Sequence, residues 1–346
     1  PPSADAGARG DYTDGRLVPA ARQPRSFPDP ARRMAATLLA WMRLLRVPNL
    51  ATAVADVLAG FLIVAQVRGV DWPLPPLRWA ILASLGFYAA GVVLNDVFDL
   101  ETDRVERPGR PLPSGRIDVR AALLAGNLLL GLGGAAACAT AVAARNPWPA
   151  LVGAAITVAV WTYDRHAKST PFGPVVMGSC RGLNWLLGMT AAGGPRSAAE
   201  WLLPIGMGVY VMGVTVYARN EAEDERDDTL AAGAMIMLVG LAMAGMYPWL
   251  LSRSAEPDGW LAVGGSRLSN WLFLWSLLSA SVLLRAFLGM IDPTAERVQQ
   301  AVGNAIMSII TLDAVLVLAR CGEPWAIAIL MLLVPFLLGR RLVSPT

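Results

Sequence analysis

The segment VLNDVFDLETDRVERPGRPLPSG, residues 93–115, collects Asn95, Asp96, Asp99 and Asp103 where an apolar stretch ends, then adds two Arg-Pro pairs. At about 100° per residue, Asn95, Asp99 and Asp103 fall on one face of a helix, with Asp96 at the edge of the same arc. Carboxylates crowded beside lipid repel one another and are costly to ionise. A hard divalent cation such as Mg²⁺ relieves both effects, because it takes oxygen ligands and keeps water or phosphate in its remaining positions. The alternative is a solvated helix end whose charges pair with Arg104 and Arg107.

Two further polar loops carry chemistry. YDRHAK, residues 163–168, holds the chain's only lysine, Lys168, and its only histidine, His166. A compact ammonium suits a phosphate as a point charge, and equally serves as an anchor at a helix end. YARNEAEDERDD, residues 217–228, repeats the four-residue spacing in Asn220, Asp224 and Asp228, and a solvated acidic loop is its competing reading. RVPN (Arg46 to Asn49) and RGLN (Arg181 to Asn184) each precede an Asn/Asp cluster by one apolar segment, as in a parallel internal repeat. Arg181 lies inside the apolar run VVMGSCRGLNWLLGM, where an arginine faces a polar cavity or a partner.

These residues need a membrane scaffold. Hydrophobic residues make up 55% of the 346 and charged residues 16%, against about a quarter charged in soluble domains. Mean hydropathy is +0.48. Ten apolar stretches read as helices: about 50–67, 77–97, 121–143, 148–163, 171–192, 201–218, 231–251, 270–290, 301–319 and 325–338. In lipid the backbone must satisfy its own hydrogen bonds, and barrel-type alternation is absent. The expected fold is all-α, a polytopic bundle of about nine or ten spanning helices around a central cavity.

Residues 34–341 read as one membrane domain, 1–33 as a disordered polar arm without a signal-peptide core, and 342–346 as a tail. The net charge of +3 sits mostly at the ends of apolar runs, so it signals topology and no nucleic-acid partner. Arg104, Arg107, Arg110, Arg116, Arg120, Arg165, Lys168, Arg219 and Arg226 crowd the loops after the second, fourth and sixth stretches. The loops between carry Arg68, Arg78, Arg145 and Arg196. The richer loops and the amino-terminal arm are therefore expected in the cytoplasm, at the inner (plasma) membrane of the cell. Cys138, Cys180 and Cys321 lack metal or disulfide spacing and read as buried thiols.

With these motifs in hand, Asn95-Asp96-x-x-Asp99-x-x-x-Asp103 followed by Arg110 to Gly115 (RPLPSG) resembles the first signature of the UbiA superfamily of intramembrane prenyltransferases. Tyr163 to Lys168 is similar to that family's Y-x-x-x-x-K element, and MGSCRGLN and Leu312 to Ala314 (LDA) resemble its EboC-type branch. The resemblance implies a helical bundle, Mg²⁺ as cofactor, an isoprenyl diphosphate donor and a small aromatic or lipophilic acceptor. By it, Asn95, Asp96, Asp99, Asp103, Asn220 and Asp224 would hold metal, although Asn220 stands where a first aspartate is expected. Arg46, Asn49, Arg107, Arg110, Tyr163 and Lys168 would bind the diphosphate, and Asp96, Asp99, Lys168 and Arg181 would carry catalysis. Trp161, Trp185 and Tyr210 are the candidates for an acceptor lining. Two readings of other classes remain: a non-catalytic binding protein for polyprenyl phosphates, and an ion-coupled transporter using Asp313, which could equally pair with Arg285.

Overall fold

The computed structural model describes residues 30–68, 74–219, 226–253 and 265–343. Among them the regular structure is helical, without strands. In order these are α1 (Pro30–Leu44), a 3-10 turn (Val47–Asn49), α2 (Leu50–Arg68), α3 (Leu74–Phe98), α4 (Leu100–Glu106), α5 (Val119–Ala144), α6 (Trp148–Thr162), a π-helical turn (Tyr163–Ala167), α7 (Gly173–Ala191), α8 (Ala198–Ala218), α9 (Arg226–Ser252), α10 (Gly265–Ile291), α11 (Ala295–Cys321), α12 (Glu323–Leu330) and α13 (Leu333–Val343). The helix ends carry chemical stop and start signals. Asp118, Ser197 and Thr294 cap α5, α8 and α11 by accepting from Ala121, Glu200 and Arg297 backbone N–H groups.

All ten expected apolar stretches are helical. Among the described residues, eight are long and apolar enough to cross a membrane. The other two are α6, only 15 residues long, and α7, whose apolar run is interrupted by Arg181 and Asn184. The last stretch bends at Met331–Leu332 into α12 and α13. α1 starts at Pro30, inside the expected arm, and the remainder of that arm lies outside the described residues. α5 and α10 present large apolar side chains outward, including Leu124, Leu128, Leu132, Phe273, Leu277 and Leu284. That surface is stable only against lipid, and the chain is an integral membrane protein.

Close helix approach depends on small residues, since hydrocarbon gives apolar side chains no reason to leave lipid for protein. A Cβ added at Gly60 on α2 would lie 2.5 Å from the Trp185 carbonyl oxygen of α7, and one added at Gly188 on α7 would strike the Val57 carbonyl of α2. Those two glycines let α7 press against α2. Gly86 and Gly133 do the same for α3 and α5, at 3.0 Å, and Gly206 for α8 against Ala244 of α9, at 2.7 Å. α7 therefore runs through the interior, packed on α2, α3, α6 and α8. α11 closes the arrangement against α2 and α8.

Candidate active site

One cavity of about 450 Å³ opens between α2, α3, α6, α7, α8 and α11. Its mouth is polar, lined by Arg46, Asn49, Asn95, Asp99, Arg107, Arg110, Tyr163, Asp164 and Lys168. Its body is mostly apolar, with Phe87, Tyr88, Val160, Val214 and Ile306 among the walls. The polar loops after α3 and α6 meet at this mouth, and Arg219, the last described residue after α8, reaches the second of them. Lys168 donates to Asn95 Oδ1 (2.9 Å) and pairs with Asp99. Arg219, past the end of α8, donates to the carbonyls of Lys168 (2.5 Å) and Thr170. At the opposite end, Asn146 after α5 donates to the Thr190 carbonyl of α7 (2.9 Å). Among the described residues, the loops after α3 and α6 thus lie at one end and those after α5 and α7 at the other, as their charge suggested.

The acidic stripe is not one uninterrupted helix face. α3 stops at Phe98, Asp99 occupies the break with φ −85° and ψ 1°, and α4 restarts at Leu100. Backbone bonds from Asp99 to Asn95 (2.9 Å) and from Asp103 to Asp99 (2.8 Å) preserve the four-residue spacing. The side chains nevertheless divide into two groups. Asn95 donates to Asp99 (3.1 Å), and both turn to Lys168. Asp96 and Asp103, 4% and 3% exposed, turn to arginines: Arg46 to Asp96 (2.8 Å), and Arg110 to Asp103 (2.6 Å) and Asp96 (3.6 Å). The partners foreseen as Arg104 and Arg107 are different in part, because Arg104 reaches back to Glu101 (2.7 Å) at the surface.

Arg46 reaches the site by an unusual backbone. It adopts the left-handed region, φ 47° and ψ 47°, just before the 3-10 turn, at a cost of about 1–3 kcal/mol for a non-glycine residue. Pro48 sits in that turn, and α13 packs directly on it. A Cβ at Gly339 of α13 would lie 3.0 Å from Pro48 Cγ. Tertiary packing therefore holds the strained turn.

Arg181 and Asn184 line the inner wall of the same cavity. Arg181 lies 3.0 Å from Asp56 of α2, and Asn184 donates to Asp56 (2.9 Å) and to the Ala53 carbonyl (2.9 Å). Asp313 of α11 is buried near Asp56, Arg181 and Trp185, with neither carboxyl oxygen hydrogen-bonded among the described residues, whereas Arg285 is exposed on α10. Asp56 and Asp313 are fully buried. Arg46 and Asn49 of RVPN and Arg181 and Asn184 of RGLN thus line one void. Asn220 and Asp224 lie outside the described residues.

Three aromatic candidates do not line the cavity. Trp161 is exposed and stacks under Arg165, at 4.8 Å. Trp185 and Tyr210 are fully buried in packing, with Tyr210 donating to the Ala305 carbonyl (2.9 Å). Of the rings that do line it, Tyr163 belongs to the Y-x-x-x-x-K element already singled out, whereas Phe87 and Tyr88 gave no distinct signal among many aromatics in apolar runs. Asp164 was also missed. It lines the mouth, is 7% exposed, and has one carboxyl oxygen buried without a hydrogen-bond partner. Burial, opposed by Lys168 and Arg46 and assisted by Asp99 and Asp96, pushes its carboxyl up to about 8.

The donor set fits a magnesium–diphosphate pair. Asn95, Asp99 and Asp164 offer hard oxygens, and Asp164 has an oxygen with no other use. Among the described residues no three His, Cys, Asp or Glu side chains form a metal cage alone, and Mg²⁺ ordinarily completes its shell with phosphate and water.

A bundle of membrane helices with a cation- and carboxylate-lined mouth above an apolar void defines an integral membrane protein built to receive an amphiphile. The profile of the UbiA prenyltransferase family matches residues 53–312, and the chain belongs to that family. The digeranylgeranylglyceryl phosphate synthase of Methanoculleus marisnigri is 28% identical over 282 residues, 78% of this chain and 92% of the relative. That of Methanopyrus kandleri is 35% identical over 167 residues, covering 47% of this chain and only 56% of the relative. A UbiA homolog from Archaeoglobus fulgidus bound to GPP and Mg²⁺ shares the fold, with a TM-score of 0.58 at 14% identity over 84% of this chain and 99% of that one.

Proposed function

We propose that the chain transfers a prenyl group from an isoprenyl diphosphate to a lipophilic acceptor, with Mg²⁺ as cofactor. The observation that carries this reading is the mouth, where Lys168, Arg46 and Arg110 are neutralised by Asp99, Asp96 and Asp103. A diphosphate can take the cations, and the released carboxylates, with Asn95, can take Mg²⁺. One set of ion pairs is exchanged for another with little net change in buried charge. Membership of the family supports the same reading, as do the relatives named for prenyl transfer and the homolog bound to GPP and Mg²⁺.

In this reading Lys168, Arg110 and Arg46 hold the diphosphate and stabilise the charge that grows on it as the C–O bond breaks. Bound Mg²⁺ would supply further neutralisation of the leaving group. Phe87, Tyr88 and Tyr163 line the cavity, where aromatic rings can stabilise an allylic cation. The apolar walls keep out water that would capture it. Arg181, held by Asp56, sets the polar limit of the cavity wall. The relatives' product name favours a glyceryl phosphate type of acceptor. The mouth faces the cytoplasm at the plasma membrane by the positive-inside distribution of arginines. The catalytic unit is residues 34–341.

The test is turnover of geranyl diphosphate by purified protein with Mg²⁺ and a panel of lipophilic acceptors. Wild type is expected to release pyrophosphate, and Asp99→Ala to lose at least ~100-fold in rate, as removal of one electrostatic contact does in other enzymes. Equal rates would overturn the role of Asp99. Tight diphosphate binding with no pyrophosphate release from any acceptor would replace the transferase with a binding protein.

A further inference from the structure

We infer that Asp164 is an additional oxygen ligand for the divalent cation at this mouth, facing Asn95 and Asp99; this rests on the transferase reading above. The local backbone places it there. Tyr163–Ala167 is a π-helical turn, closed by the Lys168 N–H donating to the Tyr163 carbonyl (3.1 Å). Such a turn inserts one residue and re-aims the side chains around it, and it recurs at functional sites. Here Asp164 turns inward to 7% exposure, while Arg165 and His166 remain outside against Trp161.

Its surroundings then leave it one unfilled role. Asp96 and Asp103 are held by Arg46 and Arg110, and Asp99 by Lys168 and Asn95. Asp164 lines the same mouth as Lys168 and Asp99, yet keeps a buried oxygen without a partner. Once a diphosphate draws Lys168 away, Asp99 and Asp164 remain together in the lining of the mouth. A dication bridging them satisfies the unpartnered oxygen, with Asn95 Oδ1 and phosphate oxygens completing a hard-oxygen shell.

The experiment uses the full chain in detergent micelles with Mn²⁺ alone, reading free Mn²⁺ by its paramagnetic resonance signal. Asp164→Asn is expected to weaken Mn²⁺ binding at least ~10-fold, the loss typical of perturbing a metal site. Asp164→Glu is expected to recover most of it. Asp99→Ala, measured in parallel, is expected to lose binding to a similar or greater degree. If Asp99→Ala weakens binding and Asp164→Asn matches wild type, Asp164 is not a ligand and only this inference falls. If neither variant differs from wild type, the mouth is no metal site and the broader reading falls with it. Thermal unfolding controls for folding, and Asp164→Ser takes the place of an Asn variant that fails to fold.

Discussion

Lys168 and Asp99 hold each other at the cavity mouth, so each substitution there should act on a different ligand. Lys168→Met removes a point charge from the diphosphate subsite while leaving the carboxylates in place. Its expected effect is a donor KM raised at least ~10-fold, equivalent to about 1.4 kcal/mol, with Mn²⁺ affinity in the absence of donor no weaker than wild type. Steady-state kinetics and metal titration on the same preparation check both halves. The deeper cluster is different in kind. Asp56 is fully buried and holds Arg181 at 3.0 Å. Asp56→Ala strands a buried guanidinium, and such a loss typically costs about 3–5 kcal/mol. A drop in thermal midpoint is expected, and Asp56→Asn should lie between the two because the amide still accepts from Arg181.

At the scale of elements, the strained turn at Arg46 depends on a helix nearly three hundred residues away in sequence. α13 lies on Val47–Asn49, and a Cβ added at Gly339 would meet Pro48 at 3.0–3.3 Å. A leucine at 339 must displace the turn, and with it the guanidinium that reaches Asp96. Gly339→Leu is therefore expected to raise the donor KM in the same direction as Arg46→Ala. The double variant should be non-additive by about 0.5–3 kcal/mol, the coupling of sites that share one contact. Additive effects would separate α13 from the site. Gly188 is the comparable point between α2 and α7, since a side chain there would push Arg181 and Asn184 away from Asp56 and the Ala53 carbonyl.

For the whole molecule, the cavity joins α2, α3, α6, α7, α8 and α11, so an occupant contacts helices from both halves of the chain. A ligand that binds only the folded bundle stabilises it by mass action, about 2.7 kcal/mol at one hundred times its dissociation constant. Geranyl diphosphate with Mg²⁺ is expected to raise the thermal midpoint in micelles more than either component alone, because the exchange of ion pairs needs both. EDTA should cancel the gain. A midpoint raised equally by geranyl diphosphate without any divalent ion would argue against that exchange.

Helix type, membrane residence and the polar mouth were determined by sequence alone, because each is local. An apolar run of sufficient length has no other stable form in lipid, and Asn95, Asp99 and Lys168 stand out as polar residues at the ends of such runs. The resemblance carried by residues 93–115 pointed to the family that residues 53–312 match, while the EboC-like reading of MGSCRGLN still rests on the sequence. Pairing was decided only by the tertiary structure. Arg46 with Asp96, Arg110 with Asp103, and Arg181 with Asp56 join residues separated by 50, 7 and more than 120 positions. So were the inward turn of Asp164 and the outward turn of Trp161, which lie within one short stretch of chain. A one-residue π insertion is invisible in composition, and which partner a charge takes depends on which helices glycine allows to touch.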